Sequence, residues 1–209
     1  MVNQSLNAAS KVSKAASPEA GDRQPFRHGL KEWAIAIQAL LDGQTILLMR
    51  KGGIREERGR FEVQHRRVWL YPTYEHQRSE WLKEPYAHRV NPVESGWHPA
   101  TVEIQGWADI THIFSVSEAI ALEKLQPLHI WTETFATERF NWKPRSPLYL
   151  LLLRTYRLQS ALTIPYSDLY KGCRSWIDLE QEIDPSVAVP VLADERYQNQ
   201  VEQITSVIS

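Results

Sequence analysis

Six consecutive residues, Leu148-Tyr149-Leu150-Leu151-Leu152-Leu153, present apolar side chains to both sides of an extended chain. A strand with two apolar faces must be covered on both, so Leu148–Leu158 belongs in the middle of a sheet. Thr45–Arg50 reads as a second buried strand. Phe61–Val63 and Arg67–Tyr71 are further strands; the latter alternates Val68 and Leu70 with Trp69 and Tyr71 and is ended by Pro72, which cannot donate to a ladder. Thr101–Val116 adds strand structure through Val102, Ile104, Ile110, Ile113 and Phe114. Helical spacing of Trp33, Ile37, Leu40 and Leu41 predicts a helix over Leu30–Leu41, stopped by Asp42-Gly43. Glu75–Lys83 reads as a short helix carrying Trp81, and Glu84–Pro99, with three prolines, as a long loop. Ser117 is placed to cap a helix ending at Leu125, Pro127 breaks it, and Thr132 starts another over Glu133–Asn141. Tyr197, Val201, Ile204 and Ile208 predict a one-sided C-terminal helix over 194–208. Helices mixed with non-local strands argue an α+β fold.

The 209 residues suit one globular unit over 26–209. Residues 1–25 differ in kind: rich in Asn, Gln, Ser and Ala and without an aromatic, they read as a disordered tail. That start lacks the continuous apolar core of a secretory signal, and no apolar run is long enough to cross a bilayer, so the cytoplasm is the expected location and no membrane partner is expected. A single cysteine, Cys173, excludes an internal disulfide and a cysteine-based zinc site within one chain.

Charge is distributed unevenly. The whole chain is at −1, yet Arg50–Arg67 holds seven Arg or Lys against three Glu. Within it, Arg50-Lys51-Gly52-Gly53-Ile54-Arg55 follows directly on an apolar strand. Arg50, Lys51 and Arg55 can neutralise phosphate there, while Gly52 and Gly53 let the backbone approach an anion closely. The plainer reading is a solvated hairpin tip paired with Glu56, Glu57 and Glu62. This is no P-loop, because the Gly-x-x-x-x-Gly-Lys spacing is missing. Tyr71-Pro72-Thr73-Tyr74-Glu75-His76-Gln77 comes next, and Tyr74 with His76 can stack on and hydrogen-bond a base. Its plainer reading is a turn with Thr73 as a cap. Arg174 and Trp176 are candidates for a binding wall, with Trp176 as core the alternative. Cys173 reads as a small packed residue rather than a nucleophile. Trp131, Arg139 and Trp142 suit an arginine stacked on aromatics. His65, His76, His88, His98, His112 and His129 are scattered without metal-ligand spacing, so neither metal nor cofactor is expected.

Four segments carry a resemblance: Leu48–Glu56; Tyr71–Gln77; His129-Ile130-Trp131-Thr132 with Arg139-Phe140; and Gly172-Cys173-Arg174-Ser175-Trp176. In order over roughly residues 30–180, they resemble the signature of a bacterial family known as domain of unknown function 1802, which brings no established activity. More faintly, a helix followed by Asp42-Gly43 and a strand ending in Arg50-Lys51 is similar to the opening of PUA-like domains of the ASCH type. The chain keeps Gly43 and Arg50 of that pattern and departs from it at Gln44, Thr45 and Leu48. This resemblance implies a mixed, curved or barrel-like sheet with flanking helices.

The expected function is a module that binds RNA, DNA or a nucleotide-like anion, recognising phosphate through Arg50, Lys51, Gly52, Gly53 and Arg55 and a base through Tyr74, His76, Arg174 and Trp176. Near-neutral overall charge favours local recognition of an end, a loop or a modified base over coating of duplex DNA. Two alternatives stay open. One is a hydrolase of a nucleotide or modified nucleobase, with Glu57 or Glu75 as base. The other is a protein-interaction module using the C-terminal helix.

Overall fold

The doubly apolar run at Leu148 lies inside a mixed sheet, as its two faces require. The computed structural model describes residues 12–14, 24–51, 54–57, 60–144, 146–172 and 174–208, with backbone alone at 12–14, 54–57 and 60–62. In chain order the strands are β1 (Val12–Lys14), β2 (Phe26–Trp33), β3 (Leu47–Arg50), β4 (Ile54–Glu57), β5 (Arg60–Val63), β6 (Arg67–Thr73), β7 (Thr101–Val116), β8 (Leu148–Pro165), β9 (Trp176–Ile183) and β10 (Ala188–Pro190). The helices are α1 (Ala34–Leu41), α2 (Glu84–Ala87), α3 (Ala119–Leu125), α4 (Glu133–Asn141) and α5 (Asp194–Ile208).

Among the described residues, eight strands make one sheet in the order β10-β8-β7-β6-β2-β9, with β1 added to β7 and β3 to β8; β4 and β5 form a separate hairpin. Among the described strands, only β2 with β6 pairs in parallel. The fold is therefore α+β with a mixed sheet and flanking helices. β7 and β8 form its spine, paired from Thr101↔Pro165 to Val116↔Leu148 with register shifts after Ile104 and Ile110. Such bulges bend a long ladder. The sheet curls without closing: β3 and β9 stay unpaired to each other, and the side chain of Arg50 crosses the gap. Its Nη1 donates to Ser175 Oγ at 3.0 Å, just before β9, and its Nη2 to Lys31 O in β2 at 2.8 Å.

Both faces of the sheet are covered. One carries α1, α5 and the α3–α4 layer over a core containing Leu30, Leu48, Val68, Leu70 and Leu148–Leu153. The other carries a smaller core around Trp69, Tyr71, Ile104, Trp107 and Ile177. The alternation of Val68 and Leu70 with Trp69 and Tyr71 thus sends successive residues of β6 into different cores. Tyr197, Val201, Ile204 and Ile208 are buried, so the apolar face of α5 is spent inside its own chain and offers no partner surface.

Several expectations are corrected. The helix predicted over Leu30–Leu41 starts only at Ala34; residues before it form the end of β2, held by β6 on one side and β9 on the other. Flanking ladders override a helical spacing of this kind. Pro72 does not end β6, which runs to Thr73, because the β6–β7 ladder stops at Trp69 and leaves one edge of β6 free of donors to satisfy. Glu75–Lys83 forms just one 3₁₀ turn at Ser79–Trp81, and the loop over 84–99 opens with the short α2. Ser117 does not cap α3, which begins after Glu118, whereas Thr132 does cap α4 through Phe135 N–H. Within the tail expected to be disordered, Val12–Lys14 pairs with His112–Phe114; residues 1–11 and 15–23 lie outside the described residues.

One buried group makes stability depend on pH. His129 is 4% exposed, and neither ring nitrogen has a hydrogen-bond partner. Burial, reinforced by the Lys83 ammonium, lowers its pKa to about 3. The folded chain then holds this ring neutral while the unfolded chain protonates it below about 6.5. Its contribution is complete above pH 6.5 and is lost as the pH falls toward 3. Going from pH 6.5 to pH 5 should remove about 1–2 kcal/mol through this group. Urea titrations at the two pH values check this: His129→Gln should flatten the difference, and an equal difference in both proteins contradicts it.

Candidate functional site

Parallel pairing of β2 with β6 brings their C-terminal ends to one side of the sheet, and the end of β3 meets them there. Lys31–Trp33, Met49–Lys51 and Tyr71–Tyr74 form the floor of an open cleft of about 950 Å³. One wall comes from α4 and the residues after it (Phe135, Arg139, Trp142, Lys143), another from Tyr166, Tyr170, Lys171, Gly172, Arg174 and Ser175, and a third from the loop at 95–99. That loop is fixed in place. Glu75 Oε1 accepts from Gly96 N–H, Trp97 meets Tyr74 edge-on at 5.8 Å, and His98 stacks on Tyr166 at 3.5 Å.

The lining has a distinct chemistry. It contains eight Lys or Arg against two carboxylates, Glu32 and Glu75, and ten aromatic residues. In a chain whose net charge is −1, this is a local concentration of positive potential among stacking surfaces.

At the floor, Arg50 Nη2 lies 3.1 Å from Glu32 Oε2, both side chains nearly buried. Glu32 Oε1 accepts from Trp33 N–H at 2.8 Å, so this carboxylate is fully engaged. Arg139 joins the cluster. Burial lowers its pKa, Glu32 pulls it back up, and Arg50 pushes it down again. Its guanidinium lies 5.8 Å from the Phe135 ring and 5.3 Å from that of Trp142. Glu32 thus pairs with Arg50 and acts on Arg139 only through its field, and Nε of both Arg50 and Arg139 is buried without a partner. Unsatisfied charged donors of this kind are costly unless an anion completes them.

The sequence-based site residues separate into three groups. Arg50, Lys51, Tyr74, His76 and Arg174 all line the cleft. Arg50 and Lys51, however, both have partners within the chain. Lys51 is 9% exposed, and its ammonium donates to Phe140 O and Ser146 O at 2.7 and 2.6 Å. Burial and the neighbouring Arg139 lower its pKa. Both side chains are struts of the cleft. His76 adopts a positive φ of 60°, in the turn after Tyr74. Burial raises the pKa of the Tyr74 phenol, with help from Glu103. Arg174 is exposed and has no ion pair among the described residues.

Trp176 does not line the cleft and packs against the larger core instead. It is half-buried there, in keeping with the core alternative. Gly52, Gly53 and Cys173 lie outside the described residues, and so do the side chains of Arg55, Glu56 and Glu57.

Residues that sequence reasoning did not assign to this site complete it. Arg78 lies 4.6 Å from the Trp81 ring, and Lys143 lies 4.4 Å from Trp142, itself 47% exposed. Trp33, Trp81, Trp131 and Phe135 form a continuous aromatic cluster beneath them, with centroids 5.3–6.0 Å apart. The Tyr71 hydroxyl is buried without a partner, and burial raises its pKa. Trp131, Arg139 and Trp142 had a local signal, an arginine beside aromatics. The others needed the fold.

The family described as Domain of unknown function (DUF1802) matches residues 29–203, a stretch that contains the cleft floor, α4 and the wall that begins at Tyr166. Among solved structures, ASCH from Zymomonas mobilis is similar at 13% identity and a TM-score of 0.43, over 86% of this chain and 93% of that one. A serine-to-alanine mutant of that protein is similar at 14% identity and the same TM-score, over 86% and 98% of the two chains. The sequence matches no curated protein.

Proposed function

We propose that this chain, which belongs to the DUF1802 family, holds a nucleotide or an unpaired stretch of nucleic acid in the cleft. The observation that carries this reading is the lining itself: eight cations, two carboxylates and ten aromatics around one hollow. Phosphate calls for the cations, and a base calls for the rings. The volume, about 950 Å³, falls at the upper end of the ~300–1,000 Å³ range of small-ligand sites. Arg139, Lys143 and Arg174 take the phosphate-contacting role, because Arg50 and Lys51 are occupied in framing the floor. Trp142, Trp97 and Tyr74 supply stacking faces, worth about 1–3 kcal/mol per base. A cleft with one basic hollow in a near-neutral chain suits an end or a loop better than a long duplex.

The hydrolase alternative gains no support from a specific observation. Glu32 is bound by Arg50 and by the Trp33 amide, and one oxygen of Glu75 is bound by the Gly96 amide.

Fluorescence anisotropy with labelled single-stranded RNA and DNA, repeated over a range of salt, tests the proposal. Affinity should fall as salt rises, with a logarithmic slope of about −0.7 for each phosphate contacted. Lys143→Ala/Arg174→Ala should weaken binding at least about tenfold, corresponding to ~1.4 kcal/mol, with an unchanged Tm because both side chains are exposed. Undetectable binding, salt-independent binding, or an unaltered affinity in the double variant counts against it.

A further inference from the structure

Three elements converge on a second cluster at the opposite end of β2 from the cleft. His28 is the third residue of β2, His65 sits in the turn between β5 and β6, and Asp178 belongs to β9. We propose that His28, His65 and Asp178 form a binding site for a divalent transition-metal ion of the zinc class.

The geometry is specific. His28 and Asp178 are direct partners in the β2–β9 ladder, immediately after its register shift between Phe26 and His28. Bulges of this kind re-aim side chains and recur beside functional sites. His28 Nδ1 lies 2.7 Å from Asp178 Oδ1, and one donor atom from each of the three residues falls within 4.8 Å of the others. The His28 and His65 rings stack with centroids 3.4 Å apart and planes 5° from parallel. Two imidazoles and one carboxylate form a donor set that suits zinc and its first-row neighbours, with a remaining position for water. The His28 and Asp178 side chains are 35% and 43% exposed, so an ion can enter from solvent.

Binding requires one defined movement. Ligands about 2.1 Å from a tetrahedral ion stand roughly 3.4 Å from each other. Two parallel rings cannot both aim a lone pair at one ion, so the stack must open as the ion enters. His65, carried on a turn, is the ring able to tilt. Asp178 also has a competitor: Arg27 Nη2 lies 3.8 Å from Oδ2. The bound ion would tie β2, β9 and the β5–β6 turn together, about 10–17 Å along β2 from the cleft end. This proposal does not depend on the function assigned to the cleft.

The test uses the full chain without an affinity tag, stripped with chelator and dialysed. Calorimetric titration with Zn²⁺ should show saturable uptake of one ion per chain and a raised Tm, with no comparable response to Mg²⁺. His28→Ala/His65→Ala and Asp178→Asn should lose that uptake, whereas Lys143→Ala/Arg174→Ala should retain it. Should the histidine variant fail to fold, Co²⁺ added to the unaltered protein decides the matter. A visible tetrahedral absorption band and shifted ring resonances of His28 and His65 are expected. No one-per-chain uptake, uptake undiminished in the folded ligand variants, or Co²⁺ binding without those ring shifts overturns the proposal.

Discussion

Methionine in place of Arg50 should destabilise the protein by about 3 kcal/mol, because it leaves the nearly buried Glu32 without its ion-pair partner. The same change removes the donors to Lys31 O and Ser175 Oγ, so the open seam between β3 and the β2–β9 edge loses its side-chain bridge. Urea denaturation followed by tryptophan fluorescence measures the loss directly. The double variant Glu32→Gln/Arg50→Met should recover part of it, since no buried charge then stands alone. A single variant within about 0.5 kcal/mol of the unaltered protein would mean that Arg50 is no strut. The control matters for function as well: lost binding in an Arg50 variant reports a damaged floor and cannot identify a phosphate contact.

A comparable loss, about 3 kcal/mol, is expected from Gly106→Ala, a substitution that adds a single carbon. A Cβ at Gly106 would lie 2.3 Å from Tyr156 O and 2.7 Å from Leu41 Cδ2. Leu41 Cδ2 ends a side chain and can shift, but Tyr156 O is backbone of β8, and Gly106 sits at the register shift of the β7–β8 spine, so that oxygen cannot retreat without disturbing the ladder. Gly172→Ala gives the contrast. At φ 82° and with nothing within 4 Å of a new Cβ, it should cost only the backbone penalty, roughly 1–2 kcal/mol. Equal effects of the two would show that the spine adapts at Gly106 and that close packing there is not what holds it.

What the sequence made legible was mostly local. The doubly apolar Leu148 run, the alternation in β6, the Thr132 cap and the α5 stripe depend on neighbours a few residues away, and each appears where its pattern places it. The start of α1 was hidden, because Leu30–Trp33 is committed to strand by β6 and β9, more than thirty residues distant in sequence. The same division runs through the cleft. Arg50, Lys51, Tyr74 and His76 drew notice as a basic turn beside aromatics, and they do meet in one hollow. Their roles were not readable, since Glu32, Phe140 O and Ser146 O capture the two cations only after folding. Arg78, Lys143 and the Trp33–Trp81 stack gave no signal that separates a cleft wall from ordinary surface or core. The His28–His65 pair escaped for a similar reason, as no short motif links residues that meet through β2 and a distant turn.

A base and its phosphate are expected to sit in this basic, aromatic-lined hollow. Photo-crosslinking of a short single-stranded oligonucleotide bearing 5-bromouracil, with adducts mapped by mass spectrometry, tests it most directly. Adducts on Tyr74, Trp97 or Trp142 that disappear at high salt and under competition by unlabelled oligonucleotide are the predicted result. Competed, salt-sensitive adducts confined to residues outside the cleft, or no competed adduct at all, would contradict it.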